Sequence, residues 1–179
     1  MNQMYTMIKH HLNTAAINKP VYLFDYDGTL SDGSHRLHKL PTKYLHLAES
    51  WSEFNRLSYF DEPIESTIQV MNSLYDSGAY IIILTGRSDE VCEISTQWLA
   101  DVGAKYNVMV MRQAIDNRKD TIIKEEFLRY IGLHRITAVW DDSPNVISHF
   151  RSLGITTYQV CDYVDKLHAG VGSHGVHHK

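Results

Sequence analysis

The chain has 179 residues, a formal net charge of -4, two cysteines and a hydrophobic content of 44%. This length suffices for one domain with a sizeable core and is too short for two ordinary domains, and the composition excludes a wholly disordered chain. The weak overall acidity argues against a protein coated in nucleic acid, although it leaves room for a local basic site.

The cysteines and the apolar segments predict a cytoplasmic protein with no membrane partner. Cys92 and Cys161 show no CxxC spacing, and no feature of a secreted chain accompanies them. No apolar run approaches the ~20 residues that a membrane-spanning helix needs. Residues 1–20 contain no apolar segment of the kind found in signal peptides. We therefore expect a protein of a reducing intracellular compartment.

Five short apolar segments are predicted to be β-strands, because they are rich in β-branched and aromatic residues. They cover residues 21–24, 80–84, 108–111, 136–140 and 155–160. Apolar residues at helical spacing predict helices between them, at residues 64–75, 88–102, 122–130 and 144–153. Strands that alternate with helices are typical of an α/β fold, here a Rossmann-like parallel sheet with helices on both faces.

The remaining sequence divides the chain into segments. Residues 1–19 form an N-terminal extension, and residues 20–163 form the core. The core carries a polar insertion at about residues 31–62, with one possible short helix near residues 45–57. Residues 164–179 are rich in glycine and histidine, so we expect a flexible tail.

Polar residues follow four of the predicted strands. They are, in chain order, Asp25 and Asp27, residues 85–87, Arg112, and the pair Asp141 and Asp142. In parallel sheets of this kind ligands bind at the carboxyl ends of the strands. The sequence therefore predicts that these residues share one edge of the sheet and form a site there.

The two acidic pairs are candidates for catalysis and metal binding. Asp25 and Asp27 directly follow a buried strand, so one carboxylate can be a nucleophile and the other a general acid/base. Gly28 permits a sharp turn. The alternative is a solvated turn with capping aspartates, which the full DxDGTL pattern disfavours. Asp141 and Asp142 alone would cap a helix. Beside a first acidic pair they predict a Mg²⁺ site, because this cation prefers oxygen ligands.

The Thr85-Gly86-Arg87 segment is a candidate phosphate site. It offers a hydroxyl, an approachable N–H and a guanidinium, which suit a phosphate oxygen at a helix N-terminus. The alternative is an ordinary strand-to-helix turn. Lys124 would be a solvated charge if it stood alone, and it becomes a counter-charge only if the carboxylates lie nearby.

Four motifs in a fixed order resemble the haloacid dehalogenase superfamily of phosphotransferases. They are DYDGTL at residues 25–30, ILTGR at residues 83–87, Lys124, and WDDSPN at residues 140–145. The resemblance covers about residues 20–160. A receiver domain also uses Asp, Thr and Lys, but its acidic pair comes first and its lone phosphoacceptor lies mid-chain, so it fits poorly.

Two further segments are similar to the phosphatase domain of bacteriophage polynucleotide kinase/phosphatases. One is residues 111–126, MRQAIDNRKDTIIKEE, and the other is the loop that ends in Arg36, nine residues after Asp27. The resemblance therefore points to one branch of the superfamily, whose members act on 3'-phosphate ends.

The resemblance implies a magnesium-dependent phosphatase with an aspartyl-phosphate intermediate. It implies that Asp25 attacks phosphorus, and that Asp27 protonates the leaving hydroxyl and then activates water. It assigns phosphate or substrate binding to Thr85, Lys124, Thr29, Gly86, Arg36, Arg87 and Arg112, with Arg118 as a weaker candidate. It assigns Mg²⁺ to Asp25, the main-chain carbonyl of Asp27, and Asp141 and Asp142, and leaves open which member of the last pair contacts the ion.

The short insertion indicates the class of substrate. It allows a loop and a short helix but not a full cap domain, so an open site and a large substrate are expected. Residues 105–135 hold more Lys and Arg than Asp and Glu, which predicts a basic mouth, although chance clustering is an equal alternative. Four aromatic residues of the insertion either stack bases or form a hydrophobic plug: Trp51, Phe54, Tyr59 and Phe60.

These features favour a polynucleotide 3'-phosphatase that acts on DNA or RNA ends in nucleic acid repair. The first alternative is a 5'(3')-deoxyribonucleotidase that acts on free nucleotides, and the second is a catalytically silent binding protein. The chain has no G-x4-GK[ST] phosphate-binding loop, so we expect any polynucleotide kinase to be a separate protein. A separate polynucleotide kinase or ligase is the partner that this function implies.

Overall fold

The structure is a computed structural model that describes residues 3–161. Its centre is a five-stranded parallel sheet in the order β5-β4-β1-β6-β7. The strands are β1 (Val21–Phe24), β4 (Tyr80–Ser88), β5 (Val108–Arg112), β6 (Ile136–Asp141) and β7 (Thr157–Gln159), while β2 (Ser31–Asp32) and β3 (Glu62–Pro63) form a separate ribbon. The helices are α1 (Gln3–Asn13), α2 (Ser52–Arg56), α3 (Glu65–Asp76), α4 (Cys92–Asp101), α5 (Asp120–Ile131) and α6 (Pro144–Ser152). The predicted α/β class with a parallel sheet is confirmed.

Alternating residues of the central strands bury both faces of the sheet. On β4, Ile82 and Leu84 pack with residues of α1, α5 and α6, while Ile81 and Ile83 pack with residues of α3 and α4. Side chains of a strand point alternately to opposite faces, so a continuous apolar run fits a strand covered on both sides. Helices therefore lie on both faces, as predicted.

Strand β4 extends beyond the predicted strand, and α4 begins later than the predicted helix. From Leu84 to Ser88, four steps along β4 lie opposite two along β5, so residues 85–87 bulge out of the ladder. Ser88 accepts a hydrogen bond from the Glu90 N–H at the start of a 3-10 turn, and α4 begins only at Cys92. Residues 85–87 thus lie on a strand and not, as predicted, at a helix N-terminus.

The insertion leaves and rejoins the core through β2 and β3, which pair antiparallel. Its short helix, α2, lies within the predicted range of residues 45–57. Trp51 and Phe54 are buried with ring centroids 6.0 Å apart, and so fit the hydrophobic plug. Tyr59 and Phe60 are exposed. The Tyr59 hydroxyl donates to Asp101 at the end of α4, which lies at the edge of the sheet opposite the strand carboxyl ends.

The N-terminal extension packs on the core. Its helix α1 lies against α5, where the rings of Tyr5 and Phe127 meet at 4.9 Å, and Ile8 and Leu12 are buried. The division into extension, core and tail stays a prediction, and the expected tail at residues 164–179 lies outside the described residues. Within residues 3–161, no helix is both long enough and apolar enough to cross a membrane.

Candidate active site

The turn after β1 places Asp25 and Asp27 at the carboxyl edge of the sheet. The Asp25 N–H donates to the Trp140 carbonyl at 2.9 Å, which keeps Asp25 beside β6. The chain then turns over the Tyr26 carbonyl, which accepts hydrogen bonds from three successive N–H groups. Gly28 has φ 74°, a conformation that glycine adopts without steric cost. The DxDG pattern thus forms the sharp turn that the sequence predicted.

A buried lysine lies among three carboxylates at this edge. Lys124 Nζ is 2.8 Å from Asp25 Oδ1, 2.9 Å from Asp141 Oδ2 and 3.2 Å from Asp120 Oδ2. The lysine comes from α5 and is only 2% exposed. The predicted counter-charge therefore does lie beside the predicted carboxylates.

Burial and mutual repulsion shift the pKa values of this cluster. Burial raises the pKa of Asp25, which Lys124 opposes and Asp141 reinforces. Burial likewise raises the pKa of Asp142 well above its ordinary value, and the charges of Asp25 and Asp141 add to this effect. Burial alone would lower the pKa of Lys124, but the surrounding carboxylates raise it well above its ordinary value. When all of its carboxyl groups are ionised, the cluster has more negative charge than one ammonium can neutralise.

Three carboxylates of this cluster fit a divalent cation. Oxygen atoms of Asp25, Asp141 and Asp142 lie within 4.8 Å of one another, and all three residues are buried. An all-oxygen donor set of carboxylates suits Mg²⁺, whose charge would offset the burial and the repulsion that raise the pKa values of these groups. The Asp141 carboxylate also accepts from the Ser143 N–H at 2.9 Å, which fixes its orientation at the start of α6.

Asp27 is held by two arginines. Arg36 Nη2 lies 2.5 Å from Asp27 Oδ1, and Arg87 donates to both oxygens of the carboxylate, at 2.5 Å and 3.1 Å. Burial by itself would raise the pKa of Asp27, but the guanidiniums of Arg87 and Arg36 hold it well below its usual range. Both guanidiniums are fully buried, whereas the Asp27 side chain is 36% exposed. Asp27 therefore offers an open side, with both arginines behind it.

Thr85, Gly86 and Arg112 lie beside the carboxylates that surround Lys124. Thr85 is buried, and its hydroxyl accepts from the Arg87 N–H at 3.1 Å. The Gly86 carbonyl accepts from Arg112 Nε at 2.9 Å, and a Cβ at Gly86 would lie 2.4 Å from Asp120 Oδ1. Any larger residue at position 86 would therefore displace the Asp120 carboxylate from its present position.

Thr29 and Arg112 have a predicted substrate contact but, like Arg36 and Arg87, are enclosed by protein groups. Thr29 is fully buried, and its hydroxyl has no hydrogen-bond partner among the described residues. Arg112 is buried and donates to the main-chain carbonyls of Asp116 and Arg118. Arg112 thus supports the loop after β5 in this structure.

Sequence reasoning gave no role to two carboxylates that complete the site. Asp120 contacts Lys124, and it lies four residues before the lysine on α5, a spacing that places both on one helix face and could have revealed it. Asp61 accepts from Arg36 and Arg87. It lies in the insertion, where no periodic pattern marks it, and only tertiary contacts bring it to the site.

The basic residues of positions 105–135 are largely paired. Arg118 forms ion pairs with Asp116 and Glu126, Arg129 pairs with Glu125, and Lys105 pairs with Asp76. Arg112 and Lys124 are buried and also pair with carboxylates. The surplus of positive charge in this segment is therefore mostly neutralised within the protein, and it gives little support to a basic mouth.

The family described as the polynucleotide kinase PNKP phosphatase domain matches residues 19–163. The chain belongs to this family. It is thus a phosphatase of the haloacid dehalogenase type, as the motifs predicted. No curated protein matches the chain.

Solved structures with the same fold include chains of two Pnkp1/Rnl/Hen1 complexes. A chain in a structure of the Pnkp1/Rnl/Hen1 complex is 28% identical with a TM-score of 0.63, and the match covers 80% of this chain and 46% of that one. A second, in the Pnkp1/Rnl/Hen1 RNA repair complex, is 25% identical with a TM-score of 0.60, covering 79% and 42%. The chain therefore spans less than half the length of these two relatives.

A third structure supports the fold alone. The class C acid phosphatase from Bacillus anthracis is 20% identical with a TM-score of 0.54, and the match covers 83% of this chain and 62% of that one.

Proposed function

We propose that the chain is a magnesium-dependent phosphomonoesterase that removes a 3'-phosphate from DNA or RNA ends through an aspartyl-phosphate intermediate. The observation that carries the proposal is the contact between Lys124 and Asp25 beside Asp27, in a chain of the polynucleotide kinase phosphatase family. The two aspartates follow one strand, so both can face the same phosphate.

In the first step Asp25 supplies the nucleophile. An oxygen of its carboxylate forms a bond to phosphorus while the bond from phosphorus to the leaving oxygen breaks, and Asp27 gives that oxygen a proton. Lys124 favours the ionised form of Asp25 that this attack requires, because it donates to Oδ1. A negatively charged phosphate near Asp27 raises the proton affinity of this carboxylate, against the two arginines.

In the second step Asp27 acts as the base. It takes a proton from a water molecule, whose oxygen forms a bond to phosphorus while the bond to Asp25 breaks, so that inorganic phosphate leaves and Asp25 is restored. The guanidiniums of Arg36 and Arg87 favour the ionised Asp27 that this step needs. In our proposal Thr85 and Lys124 contact the phosphate oxygens, because they lie at the same edge of the sheet.

A Mg²⁺ ion would be held by Asp25, Asp141 and Asp142, together with the main-chain carbonyl of Asp27. When bound, the ion supplies a positive charge that stabilises the charge of the transferring phosphoryl group. The protein contributes the orientation of these carboxylates, which the Lys124 and Ser143 contacts maintain.

The architecture around the site supports a phosphate at the end of a large molecule. The insertion consists of short turns and one five-residue helix, and so leaves room for a polymer at the strand ends. The similarity to chains of RNA repair assemblies supports the same class. On this proposal a ligase in the cytoplasm would join the 3'-hydroxyl end that the reaction produces, and a polynucleotide kinase would supply the 5'-phosphate of the opposing end.

The test is a phosphate-release assay with and without Mg²⁺ on a panel of substrates. It compares 3'-phosphorylated DNA and RNA oligonucleotides with 3'- and 5'-mononucleotides. We expect kcat/KM for an oligonucleotide to exceed that for a mononucleotide at least about tenfold. Phosphate release should stop in EDTA. A similar preference for mononucleotides would instead identify a nucleotidase. Release by neither class would indicate a different phosphomonoester, or a silent protein.

A further inference from the structure

The carboxylate of Asp61 lies at the centre of a buried polar network. Its side chain is fully buried. Oδ1 is 2.7 Å from Arg36 Nε and 3.0 Å from His35 Nε2, while Oδ2 is 2.7 Å from Arg36 Nη2, 3.1 Å from Ser31 Oγ and 3.4 Å from Arg87 Nη2. The main-chain carbonyl accepts from Trp98 Nε1 of α4 at 2.8 Å. Both the side chain and the backbone of Asp61 are therefore fixed.

Arg36 joins Asp61 to Asp27. Arg36 contacts both oxygens of Asp61 in the bidentate geometry of strong carboxylate pairs. Nη2 also reaches Asp27, Nη1 donates to the Phe54 carbonyl, and the guanidinium lies 3.9 Å over the Phe54 ring. Every nitrogen of this group is thus engaged, and its orientation depends on Asp61.

Arg87 approaches Asp27 from a second direction. Its Nη1 donates to Ser95 Oγ at 3.1 Å, and its guanidinium lies 3.8 Å over the Tyr26 ring. Its Nη2 is shared between Asp27 and Asp61. Asp27 and Asp61 therefore share the same two guanidiniums, and the two arginine charges balance the two carboxylate charges.

Removal of the Asp61 charge would upset this balance. Two buried guanidiniums would then face Asp27 alone, and Arg36 would lose the pair that orients it. Uncompensated buried charges are costly, so the arginines would move toward other acceptors or toward solvent. Because both arginines contact Asp27, its carboxylate would move with them.

We propose that Asp61 is a positioning residue that, through Arg36 and Arg87, holds the Asp27 carboxylate in place for proton transfer to the leaving oxygen. The inference rests on the proposed function, in which Asp27 is the general acid. Asp61 itself touches no reacting atom. A purely structural role for Asp61 would instead affect all substrates alike, through the amount of folded protein.

The leaving group separates these two roles. Phenyl phosphate and p-nitrophenyl phosphate are similar in shape, but the nitrophenolate is the weaker base and leaves with little help from a general acid. The measurement is kcat/KM, because it reports the steps up to release of the leaving group and excludes the later hydrolysis of the aspartyl-phosphate. In the Asp61→Asn variant we expect kcat/KM for phenyl phosphate to fall at least about tenfold further than kcat/KM for p-nitrophenyl phosphate. An equal loss for both substrates, or no loss, would overturn the proposal.

Three further variants complete the design. Asp101→Asn removes an exposed carboxylate that contacts Tyr59 at the C-terminal end of α4 and should leave both values unchanged. Asp27→Asn should show the same selective loss as Asp61→Asn. If Asp27→Asn kept full activity on both phenyl phosphate and p-nitrophenyl phosphate, the proposed function would be wrong, and this inference with it. A selective loss in Asp27→Asn alone would overturn only the role of Asp61.

If Asp61→Asn does not fold, Ser31→Ala provides a second test. It removes one donor to Asp61 and should give a smaller selective loss, about threefold. The absence of this selective loss in the Ser31→Ala variant would overturn the proposal.

Discussion

Lys124 Nζ lies 2.8 Å from Asp25 Oδ1, and the same ammonium also contacts Asp120 and Asp141. One buried cation thus holds three carboxylates that come from a strand end, a helix start and a second strand end. In the proposed reaction, this contact orients the nucleophile and favours its ionised form, against the burial that raises the pKa of Asp25.

Replacement of Lys124 by methionine should abolish activity and destabilise the metal-free protein. The apolar side chain fills a similar volume but leaves the carboxylates without their counter-charge. We expect a loss of about 3 kcal/mol in the free energy of unfolding at pH 8, measured by urea titration in EDTA. The loss should be smaller at pH 5.5, because the carboxylates can then take up protons. Greater stability than the wild type at pH 8 would contradict this account of the cluster.

The Asp25→Asn variant should retain its fold and lose phosphatase activity by at least about a thousandfold, because an amide oxygen cannot form the aspartyl-phosphate. The assay is phosphate release from a 3'-phosphorylated oligonucleotide and from p-nitrophenyl phosphate. Thermal unfolding measures the folded fraction. The exposed carboxylate of Asp76, which pairs with Lys105 on the surface, provides the matched Asp76→Asn control. Activity within tenfold of the wild type would refute the nucleophile assignment.

The stability of the metal-free protein should fall as pH rises from about 4 to about 8. Burial raises the pKa of Asp25 to about 8 and also raises those of Asp141 and Asp142. A carboxyl with a raised folded-state pKa contributes stability below its unfolded pKa, and this contribution is lost as pH rises through the folded value. Asp27 has the opposite shift, so its contribution is lost only when pH falls below about 4.

Mg²⁺ should reverse this loss, because the ion and protons compete for the same oxygens. Thermal unfolding at pH 5.5 and pH 8, in EDTA and in Mg²⁺, should show the larger stabilisation at pH 8. At a free Mg²⁺ concentration about a hundredfold above Kd, the gain is about 2.7 kcal/mol. In the Asp142→Asn variant the dependence of stability on Mg²⁺ should shrink. An equal effect of Mg²⁺ at both pH values would argue against a site built from these carboxylates.

The Gly86→Ala variant should lose activity without a change in overall fold. A Cβ at this position would lie 2.4 Å from Asp120 Oδ1 and 2.9 Å from Asp120 Cγ, so Asp120 must move away from Lys124 and Arg112. We expect a fall of about tenfold in kcat/KM for p-nitrophenyl phosphate, because the lysine loses one of its fixed partners. Wild-type kinetics in a folded variant would show that Asp120 can move without consequence.

The strand-end residues could be predicted from the sequence because the signals are local. An apolar run followed by Asp25 and Asp27, or by Asp141 and Asp142, indicates both a strand and its carboxyl end. Lys124 could be placed only through the resemblance, because a single lysine on a helix has no distinctive pattern. The contact of Asp120 with Lys124 could have been predicted, because the two residues are four positions apart on a helix.

The arginine network could not be predicted in the same way. Arg36 and Arg87 are 51 positions apart in the chain, and nothing in their neighbourhoods indicates that both contact Asp27. The extension of β4 through residues 85–87 also escaped prediction, because a bulge depends on the partner strand and not on propensity. Similarly, whether the basic residues of positions 105–135 are free or paired depends on tertiary contacts such as those of Arg118.

The ribbon of β2 and β3 brings the two ends of the insertion side by side, with Ser31 opposite Pro63 and Asp32 opposite Glu62. A segment whose ends already meet can change in length with little effect on the scaffold that carries it, because the cost of closing a loop rises only slowly with its length. The insertion can therefore be lengthened or shortened without a change in the strands that place Asp25 and Asp141 at the carboxyl edge of the sheet. Extra residues added between positions 41 and 47, which precede α2, would cover more of this edge. Such a variant should accept only smaller phosphate esters.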